Sequence, residues 1–262
     1  MFLAYASSLR SGQLGRQVGA AVASKSGDIL AMGCNDVPKP GGGLYWPGPH
    51  DRRDHILGYD TNDRQRDRIV ERLFDCLPEE VRTTLMSDMK KEFRGVLDIT
   101  EYGRAVHAEM DVLLTCARSG VSPVGAILSV TTFPCHNCTR HIIAAGISRV
   151  IYIEPYAKSR AEELHEDAIV VEEKARDDRH THRVPFTSFV GVGPRRYFDL
   201  FSLNLGRGFE LVRKSQGTIA KIARLGAYPR VPMSPLSYIQ REGIAIKELD
   251  SLPKQLSMFP PS

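Results

Sequence analysis

His107-Ala108-Glu109 and, 25 residues after that glutamate, Pro134-Cys135-His136-Asn137-Cys138 constrain this chain more than any other feature. Together they offer one imidazole, two thiols and one carboxylate, and the first three suit a single Zn²⁺. Cys135 and Cys138 are three residues apart, so in the first turn of a helix both sulfurs can face one metal, and Pro134 suits the entry to such a turn. Thr139 to Ala145 read as the rest of that helix, which Gly146 ends. His107 heads a second apolar-periodic run, Met110, Val112, Leu113, Leu114, Cys116 and Ala117, closed by Ser119-Gly120. The fold must therefore bring two helix N-termini to one point, where backbone N–H groups and helix dipoles favour thiolates.

Three protein ligands leave a fourth position for water and lower its pKa from 15.7 towards roughly 7. Glu109, two residues from His107, cannot share its face of a regular helix and is free to move protons as a general acid/base. Two other readings compete. A closed structural site would take its fourth ligand from His136 or His141, and a redox CxxC pair would leave His107 and Glu109 without a role.

The 262 residues, 42% hydrophobic, can bury a substantial core. No apolar run reaches membrane-spanning length, and residues 1–10 lack the basic start and apolar stretch of a signal peptide, so they read as a mature helix of a cytoplasmic protein. Cys34, Cys76 and Cys116 fall on apolar faces and are expected as buried free thiols. The net charge of +4 suits a phosphate-bearing ligand and argues against a nucleic-acid partner, which usually demands a dense basic stripe.

After a helix over 2–10, segments 17–23 and 28–32 read as a strand hairpin turning at Ser26-Gly27. Segments 125–130 and 149–153 flank the CxxC helix in β-α-β order, and a helix at 158–166 precedes a strand at 168–171. This alternation predicts a mixed sheet covered on both faces. A long insertion, residues 38–100, opens with Pro38-Lys39-Pro40-Gly41-Gly42-Gly43 and carries two apolar helical stripes. One is Ile69, Val70, Leu73, Phe74 and Leu77; the other is Val81, Leu85, Met86, Met89 and Phe93. Both suit packing against the domain or a neighbouring subunit. Asp51-Arg52-Arg53-Asp54 reads as solvated charge, although the flanking His50 and His55 with Cys34 offer a second, structural zinc site. Further on, Arg176–Arg183 reads as an exposed loop whose His180 and His182 offer another weak metal site. Val184–Gly191 reads as an edge strand, and Arg195, Arg196 and Tyr197 open a helix suited to phosphate or to an oligomer interface.

Beyond these residue readings, the chain resembles the cytidine/deoxycytidylate (dCMP) deaminase superfamily. The matching pieces are Arg16-Gln17-Val18-Gly19-Ala20, Gly33-Cys34-Asn35-Asp36, Val106–Glu109, Thr131–Cys138, Ala145-Gly146-Ile147 and Tyr152–Tyr156. Asn35-Asp36-Val37-Pro38 and Phe189–Tyr197 look more narrowly like the deaminase half of bacterial anti-phage dCTP/dCMP deaminases. The resemblance implies a three-layer α/β/α fold with a central mixed five-stranded sheet. Residues 1–175 would form the deaminase domain, with the 38–100 insertion, and residues 176–262 a C-terminal extension packing on it. It implies Zn²⁺ held by His107, Cys135 and Cys138, with Glu109 as proton shuttle. Asn35 would bind the sugar, the Ala108 N–H and Thr132 carbonyl the pyrimidine edge, and Tyr156 would lie near base or phosphate. Arg10, Arg16 and Gln17 become candidates for the 5′-phosphates. Where the superfamily usually has Asn two residues after its glutamate, this chain has Asp111. The implied activity is hydrolytic deamination of deoxycytidine nucleotides by a homo-oligomer. The alternatives are a polynucleotide base deaminase and a zinc-stabilised nucleotide sensor.

Overall fold

The structure, a computed structural model, describes residues 1–78, 81–82, 101–171, 182–202, 214–215, 218–219, 239–240 and 242–246. The chain forms two compact units, Met1–Gly191 and Val192–Ser262. In the first, the described strands are β1 (Gly19–Ala23), β2 (Ile29–Cys34), β3 (Ile127–Thr132), β4 (Arg149–Glu154), β5 (Ile169–Val171) and β6 (Val184–Ser188). They make one mixed sheet in the order β2-β1-β3-β4-β6-β5, antiparallel across the first three strands and parallel across the rest.

The described helices of this unit are α1 (Phe2–Ser8), α2 (Asp54–Leu57), α3 (Thr61–Asp75), α4 (Ala108–Arg118), α5 (His136–Ala144) and α6 (Ala161–Leu164). Two glycines show how they are layered. A Cβ on Gly19 would overlap the Ala4 carbonyl, so that side of β1 lies directly on α1. A Cβ on Gly33 would lie 2.7 Å from the Val112 amide and 3.0 Å from the Ala108 carbonyl, so β2 touches the backbone of α4. Gly33 pairs with Ala20, the neighbour of Gly19, and successive strand residues point to opposite faces. Hence α1 and α4 cover opposite faces of a three-layer α/β/α arrangement. The α4 side holds the main core, in which Ala20, Val22, Leu128, Val130, Val112, Cys116 and Ile142 are all fully buried. Removing these surfaces from water at about 25 cal/mol per Å² of apolar area is what holds the two helices to the sheet.

The sheet has six strands where five were expected, and Val184–Ser188 is not at the edge. β6 lies between β4 and β5, with Phe186 fully buried. Pro185 suggested an edge because it has no N–H. The amides of Val184 and Phe189 donate to Ala168 of the β5 side and Tyr152 of β4 respectively, so donors alternate between the two neighbours. The Pro185 nitrogen then falls just before the first β4 pair, Val150 with Phe186, where no ladder bond is lost.

In the insertion, only Phe74 of the α3 stripe is buried; Leu73 and Leu77 are exposed. The second stripe lies outside the described residues, apart from Val81. Among the described residues of the second unit, a 3₁₀ turn at Pro194–Arg196 leads into α7 (Tyr197–Phe201), and β7 (Lys214–Ser215) pairs with β8 (Thr218–Ile219).

Candidate metal centre and active site

His107 and Cys135 occupy the N-cap positions of α4 and α5, both with extended backbone at ψ 155° and 164°. An N-cap residue sits just outside the helix with its side chain turned back over the first amides. The Cys135 Sγ accepts from the Cys138 amide in this way, and that turn brings the Cys138 thiol beside it. The His107 Nδ1 lies 3.4 Å from the Cys135 Sγ and 3.3 Å from the Cys138 Sγ, and the three donor atoms are all within 4.8 Å of one another.

This donor set fits zinc. Bond lengths of about 2.3 Å to sulfur and 2.0–2.1 Å to nitrogen, at tetrahedral angles, put ligand S and N roughly 3.6 Å apart, close to the observed separations. Neither His136 nor His141 joins the cluster, so the closed structural site that they would complete is not formed among the described residues. The protons tell the same story. A hydrogen bond to Cys135 raises His107 to about 9, and hydrogen bonds from Cys138 and His107 bring the Cys135 thiol down to about 4. The imidazole and the Cys135 sulfur are thus strongly coupled through their 3.4 Å contact.

Glu109 lies in the first turn of α4 and is buried. Burial pushes its carboxyl above the usual range, which favours taking up a proton and holding it. Asp111, also buried, accepts from the Cys34 amide at 3.2 Å and lies 3.8 Å from Arg118. It ties α4 to the end of β2.

The other candidates gather at one end of the sheet. Cys34 pairs with Gly19 and Thr132 with Glu154, so the end of β2, the start of β1 and the ends of β3 and β4 lie together. Asn35 follows β2 and is buried, its Oδ1 accepting from Val18 N at 2.7 Å and its Nδ2 donating to the Arg16 carbonyl at 2.6 Å. Each of those atoms keeps one further hydrogen-bonding valence. Asp36 pairs with Val106, the neighbour of His107. Tyr156, half-buried, lies in the segment after β4, which the Ser159 hydroxyl ties to the Pro134 carbonyl beside Cys135 at 2.7 Å. The Arg16 guanidinium stands 5.5 Å over the Tyr156 ring and that of Arg10 stands 3.9 Å over Trp46. Gln17 instead donates to the Ser11 carbonyl. Ala108 and Thr132 are buried at the head of α4 and the end of β3.

Several expectations fail here. The second zinc site does not assemble: Cys34 is buried with its thiol pushed up to about 11 by burial, His55 faces the Gly12 carbonyl at 3.2 Å, and His50 is exposed. Cys76 is exposed at the end of α3, its thiol donating to the Arg72 carbonyl. His180 lies outside the described residues. Asp51, Arg53 and Asp54 are buried and not solvated. Arg53 meets Asp51 bidentately, Nε to Oδ1 at 2.9 Å and Nη2 to Oδ2 at 2.6 Å, and reaches Asp36 with Nη1 at 3.4 Å; Arg104 pairs with Asp54 at 3.1 Å. No local sequence signal marked this network, because its partners Asp36 and Arg104 lie far away along the chain.

Comparison with known proteins points to the same part of the chain. The family model of the cytidine and deoxycytidylate deaminase zinc-binding region matches residues 1–154. The deoxycytidylate deaminase of Enterobacteria phage T2 is 30% identical over 140 residues, 53% of this chain and 70% of that protein. ComE operon protein 2 of Bacillus subtilis (strain 168) is 42% identical over 86 residues, 32% of this chain and 46% of its own length. A probable deoxycytidylate deaminase of Drosophila melanogaster is 34% identical over 120 residues, 44% of this chain and 57% of its own. The chain thus spans less than two thirds of two of these three relatives. Among the described residues no helix is long and apolar enough to cross a membrane.

Proposed function

Since the chain belongs to the cytidine and deoxycytidylate deaminase zinc-binding family, we propose that it converts deoxycytidine nucleotides, dCMP or dCTP, to deoxyuridine nucleotides and ammonia. The observation that carries this reading is the convergence of the His107 Nδ1 and the Cys135 and Cys138 sulfurs beside the buried Glu109. Zinc held by those three ligands would supply the acidification of water, from a pKa of 15.7 towards roughly 7, that attack on C4 of cytosine needs. Two thiolates and a neutral imidazole leave that ion formally uncharged.

The protein's own residues do the rest. Glu109 takes one proton from the attacking water and delivers it to N3 of the base, then takes the second from the hydroxyl left on C4 and hands it to the departing amino group, which leaves as ammonia. Its burial suits this work, because a carboxylate in water would hold a proton too weakly to return it at neutral pH. The Ala108 N–H and Thr132 carbonyl would orient the pyrimidine edge, and the spare valences of Asn35 would meet a sugar hydroxyl. Arg16 above Tyr156 supports a phosphate-bearing substrate, since both groups stand at the site's end of the sheet.

Further parts of the reading rest on sequence likeness: an assembly of several copies, a C-terminal extension that follows the six-stranded sheet, and a part in depleting deoxycytidine nucleotides during phage infection. Three free thiols outside the metal cluster, Cys34, Cys76 and Cys116, support a reducing, cytoplasmic setting. The test is mass-spectrometric product analysis of zinc-loaded protein with deoxycytidine, dCMP, dCTP, CMP and a cytosine-containing DNA strand, beside Glu109→Ala. Conversion of dCMP or dCTP is expected, falling at least about 100-fold in the variant with zinc retained. Conversion in the strand alone would replace the nucleotide reading with a polynucleotide one.

A further inference from the structure

The place where the sequence offered a second zinc holds an ion-pair network, and that network is wired to the substrate side of the site. Asp36 is its junction. Its Oδ2 accepts from the Gly12 amide at 3.0 Å and from Arg53 Nη1 at 3.4 Å, while its Oδ1 accepts from the Val37 amide at 2.8 Å. Behind Arg53 stands Asp51, and the three side chains are 3–8% exposed. Gly12 is gripped at its other end as well, since its carbonyl lies 3.2 Å from the His55 Nδ1. A Cβ there would come within 2.8 Å of Arg53 Nη1 and 3.0 Å of the His55 ring, so the insertion lies directly against this residue.

The segment that begins at Gly12 is held next by Asn35, whose carbonyl accepts from the Ser11 hydroxyl at 2.7 Å and whose side chain binds the Arg16 carbonyl and the Val18 amide. Residues 11–18 are thereby fastened to Asn35-Asp36 along their length. They carry Arg16 over Tyr156, and Arg10 precedes them over Trp46. Among the described residues neither guanidinium has a carboxylate partner within ion-pair distance.

We propose that Arg53, with Asp51 behind it, is a positioning residue. It holds the Asp36 carboxylate, and through it residues 11–18, where that segment meets the nucleotide. The proposal rests on the deoxycytidine-nucleotide reading above. An arginine suits the task because its planar fork satisfies one carboxylate with two nitrogens and leaves the third for another. Without it, Asp36 would be a buried carboxylate lacking a counter-charge, and would turn away towards water, releasing the Gly12 amide. The backbone of Asp36 would stay paired with Val106 through the bonds Asp36 N to Val106 O at 3.2 Å and Val106 N to Asp36 O at 2.9 Å. His107 and the metal ligands would therefore keep their places. The loss falls on substrate binding.

The experiment compares the full chain with Arg53→Met, Arg53→Lys and the milder Asp51→Asn. It measures zinc content, amide hydrogen exchange, and kcat and KM for dCMP. In Arg53→Met the Gly12 and Val18 amides are expected to exchange at least about tenfold faster, while amides of α4 and the zinc content stay at parental values. KM for dCMP is expected to rise by between about tenfold and 100-fold with kcat within about twofold, the signature of lost binding and not of lost chemistry. Lysine should restore part of both effects by returning the charge without the fork. Unchanged exchange at Gly12 and Val18 would overturn the proposal. So would faster exchange throughout the sheet or loss of zinc, because Arg53 would then merely hold the fold. Should Arg53→Met fail to fold, Asp51→Asn is read by the same criteria. If the parent turns over no deoxycytidine nucleotide, the functional reading falls, and the exchange data alone decide whether the clamp exists.

Discussion

Asp51 offers the most direct pH signature in this chain. Its hydrogen bonds with Arg53 hold its carboxyl down from the ordinary 3.8 to about 2. A group held more acidic in the folded state stabilises it fully above the unfolded value and loses that contribution as pH falls through the folded one. Stability is therefore expected to decline between about pH 4 and pH 2. Urea titrations at several pH values should show a shallower decline in Asp51→Asn, and identical slopes in the two proteins would dismiss the pair. At this scale the convergence of His107, Cys135 and Cys138 was legible in the sequence and the ion pairs were not. Cys135 and Cys138 report their geometry locally, because three residues are one helical turn. The run Asp51-Arg52-Arg53-Asp54 reports nothing locally, since Arg53 finds Asp36 17 positions away and Asp54 finds Arg104 50 positions away. Burial turned an ordinary charged stretch into a network.

Between β2 and α4 the tolerance is set by Gly33. An alanine there would place its methyl carbon 2.7 Å from the Val112 amide and 3.0 Å from the Ala108 carbonyl, both backbone atoms that no side-chain rotation can move. Helix α4 would have to shift, carrying His107 away from the cysteines on α5. Gly33→Ala is expected to lower zinc occupancy several-fold and to cost about 1–3 kcal/mol of stability, as overpacking does. Zinc analysis with chemical denaturation checks both, and full occupancy would mean that α4 moves without its N-terminus. The strands β1 to β4 were legible because apolar runs and turn residues bracket them. Two features were less so. The α3 stripe of Ile69, Val70, Leu73, Phe74 and Leu77 has helical spacing, yet only Phe74 is buried, because periodicity says which residues share a face and not what covers it. β6 carries Pro185, which points to an edge unless the side receiving each amide is known.

Across the first unit, zinc would join residue 107 to residues 135 and 138, cross-linking α4 and α5 through a shared ion. A ligand that binds only the folded state stabilises it by about 2.7 kcal/mol when present at a hundredfold excess over its dissociation constant. Stripping the metal with a chelator should lower the unfolding temperature, and re-adding zinc should restore it. A temperature indifferent to chelation would mean that the helices hold together by packing alone. The alternation of strands and helices made the mixed sheet legible at this scale, but the strand count fell short because pairing partners on either side of Val184–Ser188 are not written in its own residues. Asp36 and Val106, with residues 37–105 strung between them, remain back-to-back partners in a single bridge. That bridge is a neck. The cost of closing a flexible loop grows by only about 0.6 kcal/mol with each doubling of its length, so the neck sets almost no limit on what hangs from it. The insertion can thus lengthen, shrink or acquire new surfaces beyond that neck while His107 stays in register, whereas changes at Trp46, Arg53 or His55, which touch residues 10–12 directly, are felt in the segment before β1.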